Sequence, residues 1–181
     1  MNTKMHRTAT MVVAALLAGA GTLQAQQANP LSANMKQSWT NIRDLLTRIA
    51  EKMPEQEYRF KATPELQDFG QRMGHIVASN MRGCATVKGE QKTVNVSDKG
   101  APTKAEILAA MKEADAECDS VFDSLTDADL MTMVTAGRGG QRLKQAMLQG
   151  TLEHSQEMYG YMAVYLRLKG IVPPSSEHNE R

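Results

Sequence analysis

An all-α fold, a four-helix bundle preceded by a cleavable signal peptide, is the class this sequence predicts, and three observations predict it. Apolar residues recur at alternating threes and fours in four separate stretches, the spacing that lays a continuous stripe along one side of a helix. Residues that end or start helices divide those stretches: Pro54, Thr63-Pro64-Glu65, the segment from Gly89 to Pro102, and Gly137, Gly139 and Gly140. No stretch alternates convincingly enough for a β-strand, and no internal repeat is present. Four seams joined by modest loops make a bundle that is antiparallel in part.

The start of the chain stands outside that bundle. Lys4, His6 and Arg7 form a basic opening, Thr8 to Ala20 is apolar and small, and Leu23-Gln24-Ala25 offers a small residue for cleavage. This is the pattern of a secretory signal peptide, and its apolar run falls short of the roughly 20 residues a spanning helix needs. Cleavage after Ala25 predicts a periplasmic or secreted protein with no membrane span. The expected division is a signal peptide (1–25), a helical bundle (26–172) and a polar C-terminal tail (173–181). Of 181 residues, the 156 that remain after cleavage suffice for one domain with a core. Removing Lys4 and Arg7 from the 21 basic residues leaves 19 against 20 acidic ones. That balance provides no basic surplus for nucleic acid and no polybasic anchor for a membrane surface. Aromatics are few and methionines number 13, which suits a helical core with some plasticity.

Taken in order, Met35, Trp39, Ile42, Leu46, Ile49 and Met53 carry the first helix, which Pro54 ends. Tyr58 to Ala62 reads as an extended connection. Thr63 as N-cap, Pro64 at the first position and Glu65 in the first turn then open the second helix. Its stripe is Leu66, Phe69, Met73, Ile76, Val77, Asn80, Cys84 and Val87. The polar loop from Gly89 to Pro102 is too long for a tight turn and is expected to fold over one end of the bundle. Thr103-Lys104-Ala105-Glu106 is a capping box that starts a third helix with the seam Ile107, Met111, Ala114, Cys118, Val121 and Leu125. Thr126 to Asp129 caps a short turn, and the glycines at 137, 139 and 140 loosen the chain before the last helix. That helix places Leu143, Met147, His154, Met158, Tyr161, Tyr165 and Leu168 on one face. It stops where Gly170 takes the left-handed C′ position, with Arg167 and Lys169 in the last turn and Pro173-Pro174 barring resumption.

The candidate chemistry centres on His154, one turn before Met158 in the seam of that helix. On spacing alone His75 falls nearly opposite its own helix's stripe, beside Asp68, Arg72, Ser79 and Arg82, where a surface histidine belongs. His178 lies in the polar tail, which is expected to be disordered. Glu157 reads either as an acceptor for a site histidine or as a solvated carboxylate. Cys84 and Cys118 both point inward on consecutive helices, and an exported chain meets an oxidising compartment. They therefore form either a disulfide closing about 35 residues or two separate buried thiols. No Cys-x-x-Cys or Cys-x-x-Cys-His is present for redox exchange or covalent haem. Met35, Met73, Met111 and Met147 fall at seam spacing. Only Met131-Thr132-Met133 and the segment from Met158 to Met162 approach the methionine clusters of copper-trafficking proteins.

Several of these residues carry a resemblance. Tyr58-Arg59-Phe60, Thr63-Pro64-Glu65, Phe69-Gly70-Gln71-Arg72-Met73-Gly74-His75-Ile76 and Asn80 resemble the second-helix region of the DinB-like family, in its exported branch. His154, Tyr159-Gly160 and the ending Tyr165-Leu166-Arg167-Leu168-Lys169-Gly170-Ile171-Val172-Pro173-Pro174 resemble its C-terminal signature. Order and spacing agree over roughly the whole mature chain. The resemblance implies a four-helix bundle with a divalent metal held by three histidines, one from the second helix and a His-x-x-x-His pair from the last. Some members are thiol transferases that activate a small thiol at the metal, and many have no assigned activity. It places the first ligand at His75, the second at His154 and the third at Met158, where this chain departs from the pattern. The Gln that commonly follows falls on Tyr161.

The departure has chemical consequences. Ligands four residues apart on a helix face the same way and grip one ion. A third imidazole closes the protein side and leaves one position open, the arrangement that makes a metal catalytic. Thioether sulfur serves zinc, nickel or manganese poorly and Cu(I) acceptably. Met158 therefore weakens a zinc or nickel site or turns it toward copper. Three readings of His154 stand at this point: a core histidine in a bundle that has lost its metal, an altered metal site, and a nonmetal catalytic base. The corresponding functions are a metal-dependent thiol transferase or hydrolase acting on a small molecule, and a noncatalytic bundle binding a small molecule or partner protein. An exposed helix face is available for a homodimer.

Overall fold

The computed structural model describes residues 29–96 and 99–179; the signal peptide expected over residues 1–25 lies outside them. The first helix, α1 (Pro30–Lys52), buries Met35, Trp39, Ile42, Leu46 and Ile49 as its spacing predicts. Its start is satisfied from a distance. Asp127 accepts from the Ser32 amide at 2.8 Å and the Leu31 amide at 3.2 Å, while Asn29 Oδ1 accepts from the Asp127 amide at 2.9 Å. Two helix N-termini thus cap one another. Trp39 stacks on Phe122 at 5.4 Å and donates its indole N–H to Asp119 at 2.7 Å.

The second helix, α2 (Phe69–Val87), begins later than Thr63-Pro64-Glu65 suggests. The Leu66 amide bonds to the Thr63 carbonyl at 3.1 Å in a turn that goes no further, and Leu66 stays 40 % exposed. Asp68 makes the stronger start. It accepts from the Gln71 amide at 2.8 Å while Gln71 Oε1 accepts from the Asp68 amide at 3.0 Å, both halves of a capping box. Tertiary packing fixes the choice, because the Gly70 amide donates to the Tyr58 carbonyl at 2.8 Å. The connection before it is not extended throughout: a 3-10 turn at Glu55–Glu57 delivers Tyr58 to the core. There its hydroxyl donates to the Ala50 carbonyl at 2.7 Å and its ring meets Phe69 edge-on at 4.9 Å.

The third helix, α3 (Lys104–Ser124), carries the capping box read at Thr103 and Glu106, and the short α4 (Asp127–Leu130) carries another at Thr126 and Asp129. A hairpin follows, β1 (Met133–Thr135) against antiparallel β2 (Gln141–Leu143), with Val134 opposite Arg142. Strands were not expected. With three residues each they are too short for alternation to register in the sequence, and Gly139, at φ +79°, serves the turn between them.

The last helix, α5 (Lys144–Leu168), ends in a Schellman motif. Gly170 has φ +71°, its amide bonds to the Arg167 carbonyl at 3.0 Å, and the Ile171 amide bonds to the Leu166 carbonyl at 3.0 Å. The buried face is turned from the one spacing suggests. It runs Leu148, Thr151, Leu152, Ser155, Met158, Met162, Tyr165 and Leu166, leaving Tyr161 48 % and Leu168 56 % exposed. Two inward polar residues hide this stripe from a hydrophobicity reading. Ser155 is fully buried and donates to Asn80 Oδ1 at 2.9 Å, and Thr151 bonds back to the Met147 carbonyl at 3.1 Å. After the helix, the tail is structured rather than disordered: Pro174–Asn179 forms a 3-10 turn whose Glu177 pairs with Arg48 and with Lys52. The side chain of His178 lies outside the described residues.

The four long helices form a ring in which α1 packs on α3 and α5, and α2 packs on α3 and α5. Cys84 meets Cys118 near the ends of α2 and α3, and Gln71 at the start of α2 bonds to the Gly100 carbonyl just before α3. Those two helices therefore run parallel, and the loop between them returns along the bundle to the end where both begin. Tyr165 bonds to the Gln67 carbonyl at 2.6 Å and Ser155 to Asn80, so α2 and α5 run antiparallel.

At Gly83 the α2–α5 pair leaves no room for a side chain. A Cβ there lies 2.3 Å from Thr151 Oγ1. Gly83→Ala is expected to destabilise the fold by about 1–2 kcal/mol, the overpacking cost less the gain in helix propensity. Adding Thr151→Ala recovers most of the loss in urea melts. A neutral or stabilising Gly83→Ala, as propensity alone demands, contradicts this packing.

Candidate functional site

The antiparallel α2–α5 pair brings together two of the three positions implied by the resemblance. His75 comes from α2 and His154 from α5, and their rings meet edge-to-face with centroids 5.2 Å apart and planes at 77°. Both side chains are half-buried. His75, which spacing placed on the surface, is drawn in because α5 lies over that flank of α2. His154 Nε2 is buried and has no hydrogen-bond partner. Met158 follows one turn later, 5 % exposed and within the core. Among the described residues, no set of three histidines, cysteines or carboxylates is placed to hold a metal.

The electrostatics around the pair favour a neutral His154. Burial pushes its pKa below the ordinary histidine value, and the charges of His75, Arg82 and Arg72 push the same way against Glu157. The arginines stand on the same flank of α2 as His75, since Arg72 precedes it by three residues and Arg82 follows by seven. Arg72 faces Tyr161, with its guanidinium carbon 5.8 Å from the ring centroid. Its Nε is buried without a hydrogen-bond partner. Arg82 donates to Ser79 Oγ at 3.1 Å and lines a groove of about 670 Å³ with Thr86, Glu90, Lys92, Thr93 and Thr135. Glu157 accepts from the Tyr161 hydroxyl at 3.0 Å.

The residues present can be tested against a metal ion. Two imidazoles gripping one tetrahedral ion, with metal–nitrogen distances of about 2.0–2.1 Å, hold their ring centres roughly 5 Å apart. The observed spacing fits, and the orphaned His154 Nε2 is a lone pair or an N–H in want of a partner. The spacing of the two rings thus fits a two-imidazole site, and with Met158 at the third position of the pattern the chain does not reproduce a three-histidine one.

Elsewhere, Cys84 and Cys118 are joined as a disulfide with Cα atoms 5.1 Å apart, which settles the choice left open between a bridge and separate thiols. On the opposite side of the bundle, Arg43, Glu51, Met111, Lys112, Asp115 and Asp119 line a cleft of about 480 Å³ between α1 and α3. Arg43 forks onto both oxygens of Asp119 at 2.7 and 2.8 Å. Burial pushes the Asp115 carboxyl up to about 7, although Arg43 opposes the rise. Sequence reading missed Asp115, whose place beside the inward Ala114 on α3 was the available signal.

No curated protein sequence matches this chain. Solved structures share its fold, two DinB-like proteins among them. The DinB-like protein from Bacillus cereus superposes with a TM-score of 0.66 at 19 % identity, covering 77 % of this chain and 93 % of its own. The DinB-like protein from Bacillus subtilis gives 0.61 at 18 % identity, covering 76 % and 92 %. At such identities the likeness concerns the fold. The family model of the DinB superfamily matches residues 38–162, a span that takes in α2, α3 and both histidines. The chain belongs to the DinB superfamily.

Proposed function

We propose that this protein is an exported member of the DinB superfamily that uses the His75–His154 pair to hold a metal ion, and that it acts on a small electrophilic substrate by thiol transfer or hydrolysis. One observation carries the reading: two rings from different helices set 5.2 Å apart with a buried, unpartnered imidazole nitrogen between the helices. When bound, the ion lowers the pKa of a thiol or water and supplies a nucleophile at neutral pH. The chain's own contribution is placement. α2 and α5 fix the two rings, burial keeps His154 neutral and able to ligate, and Met158 presents sulfur where the family pattern has nitrogen. That third donor favours Cu(I) and weakens zinc or nickel. Export is supported by the signal-peptide pattern and by the Cys84–Cys118 bridge, a bond that persists in oxidising compartments.

Elemental analysis of untagged protein recovered from the periplasm, with zinc, nickel and copper titrations, tests the proposal. About one equivalent of metal is expected, lost in His154→Ala. Met158→His should tighten zinc or nickel at least about tenfold. Protein that takes up no metal at micromolar concentrations overturns the reading. The burial of a thioether at the third position would then favour the second one, a noncatalytic bundle whose cleft binds a small molecule or a partner protein.

A further inference from the structure

The surroundings of the histidine pair hold two buried nitrogens without hydrogen-bond partners, one on a guanidinium and one on an imidazole. Arg72 Nε and His154 Nε2 are the two nitrogens in this part of the bundle that the fold buries and leaves unpartnered. Native proteins rarely leave such atoms unsatisfied, and where they do, the absent partner is commonly a ligand or water. Arg72 also forms no ion pair with a carboxylate among the described residues; its neighbours are the Tyr161 ring and the Tyr165 hydroxyl. Arg82, nearly three turns along the same flank, is bonded to a serine rather than an acid. Glu157, the acid beside the pair, is occupied by the Tyr161 hydroxyl. By contrast, three arginines elsewhere pair with carboxylates: Arg43 with Asp119 and Asp44, Arg48 with Glu177, and Arg59 with Asp68. Two guanidinium groups thus stand on this flank, with Glu157 the carboxylate that acts on the same histidine.

We propose that the small molecule received at the His75–His154 pair is an anion, and that Arg72 binds its carboxylate or equivalent oxyanion while Arg82 attracts it from the groove that it lines. Arginine suits this task because its planar fork matches two oxygens at once and stays charged at every working pH. Tyr161 covers the approach. It is 48 % exposed and held by one surface hydrogen bond to Glu157, so a change of its rotamer uncovers the Arg72 guanidinium. This inference deepens the functional proposal by naming the substrate class, and rests on that reading only for the location of the cleft.

Calorimetric titration with 3-mercaptopropionate, its methyl ester and propionate tests it, using the full exported chain both after chelator treatment and after metal supplementation. The acid should bind at least tenfold more tightly than the neutral ester in both preparations, and propionate should compete with it. Arg72→Gln should reduce the preference to near parity, Arg72→Lys should restore part of it, and Arg82→Gln should lower it by about threefold. Metal content and melting temperature of Arg72→Gln should match the parent chain, which separates lost recognition from lost folding. Equal affinity for acid and ester, or a preference that survives Arg72→Gln, overturns the inference. Metal binding without acid preference overturns it while leaving the metal site standing. Acid preference in a protein that binds no metal overturns the metal reading and supports this one.

Discussion

Replacing Cys84 and Cys118 together by alanine should lower the unfolding free energy by about 4 kcal/mol. The bridge spans 34 positions, and closing a loop of that length removes roughly this much chain entropy from the unfolded state. Topology makes the cross-link more than an accessory. α2 and α3 run parallel, so the polypeptide between them must return along the whole bundle before α3 begins, and no short turn can hold their far ends together. The disulfide clamps those ends directly. Both sulfurs are fully buried, so the alanine pair also leaves unfilled volume in the core, which adds to the loss. Against a typical domain stability of about 5–15 kcal/mol, the effect is a large fraction. Equilibrium urea unfolding of the double variant against the parent measures it, and a difference below about 1 kcal/mol contradicts the account. Burial also predicts that reductant acts on the native protein only as fast as the bundle opens.

Which features were legible follows from where the information lies. The α1 stripe, the Thr103–Glu106 box, the cap at Thr126 to Asp129 and the Gly170 stop are local patterns, and each stands as read. The start of α2 was misplaced because Thr63-Pro64-Glu65 is as good a local signal as Asp68-Phe69-Gly70-Gln71. The decision was tertiary, made where Gly70 meets Tyr58. The orientation of α5 was missed for a related reason: Ser155 and Thr151 read as surface residues, yet one pairs with Asn80 and the other fills the gap left by Gly83. With its inward face mistaken, Tyr161 and Leu168 were assigned to the seam. The candidate site was readable only through resemblance. Spacing put His75 on the outside of α2, and nothing local announces that α5 covers it. The roles of Arg72 and Asp115 depend on what is absent around them, and a sequence does not record missing partners.

Asp115→Asn should stabilise the protein by about 2–4 kcal/mol at pH 8, with the gain vanishing as the pH approaches 4. The carboxyl lies in the α1–α3 cleft, and burial raises it from 3.8 to about 7 even though Arg43 pulls the other way. Arg43 is already committed to Asp119, which with Asp44 adds to the rise. A carboxyl whose folded pKa exceeds its unfolded one destabilises the fold when ionised in both states. That penalty is fully present above about pH 7. As the pH falls from 7 to 3.8 the folded protein takes up the proton first, and the penalty is relieved. The parent chain should thus gain stability from this group on mild acidification, the reverse of the usual carboxylate. Other groups work against it. Glu65, Glu106, Glu117, Asp127 and Asp129 are held below their ordinary values by hydrogen bonds, and their support is lost at lower pH. His154, lowered from 6.5 mainly by burial, withdraws support below about pH 6.5. Those contributions occur in both proteins and cancel in the difference, so the comparison isolates Asp115. Denaturant melts of parent and variant at pH 8, 6 and 4.5, with a carbon-detected titration of the carboxyl, measure the effect. A carboxyl that titrates near 4, or a stability difference that does not change with pH, overturns it. The signal would come from a cleft remote from the histidine pair, so metal content should be the same in both proteins.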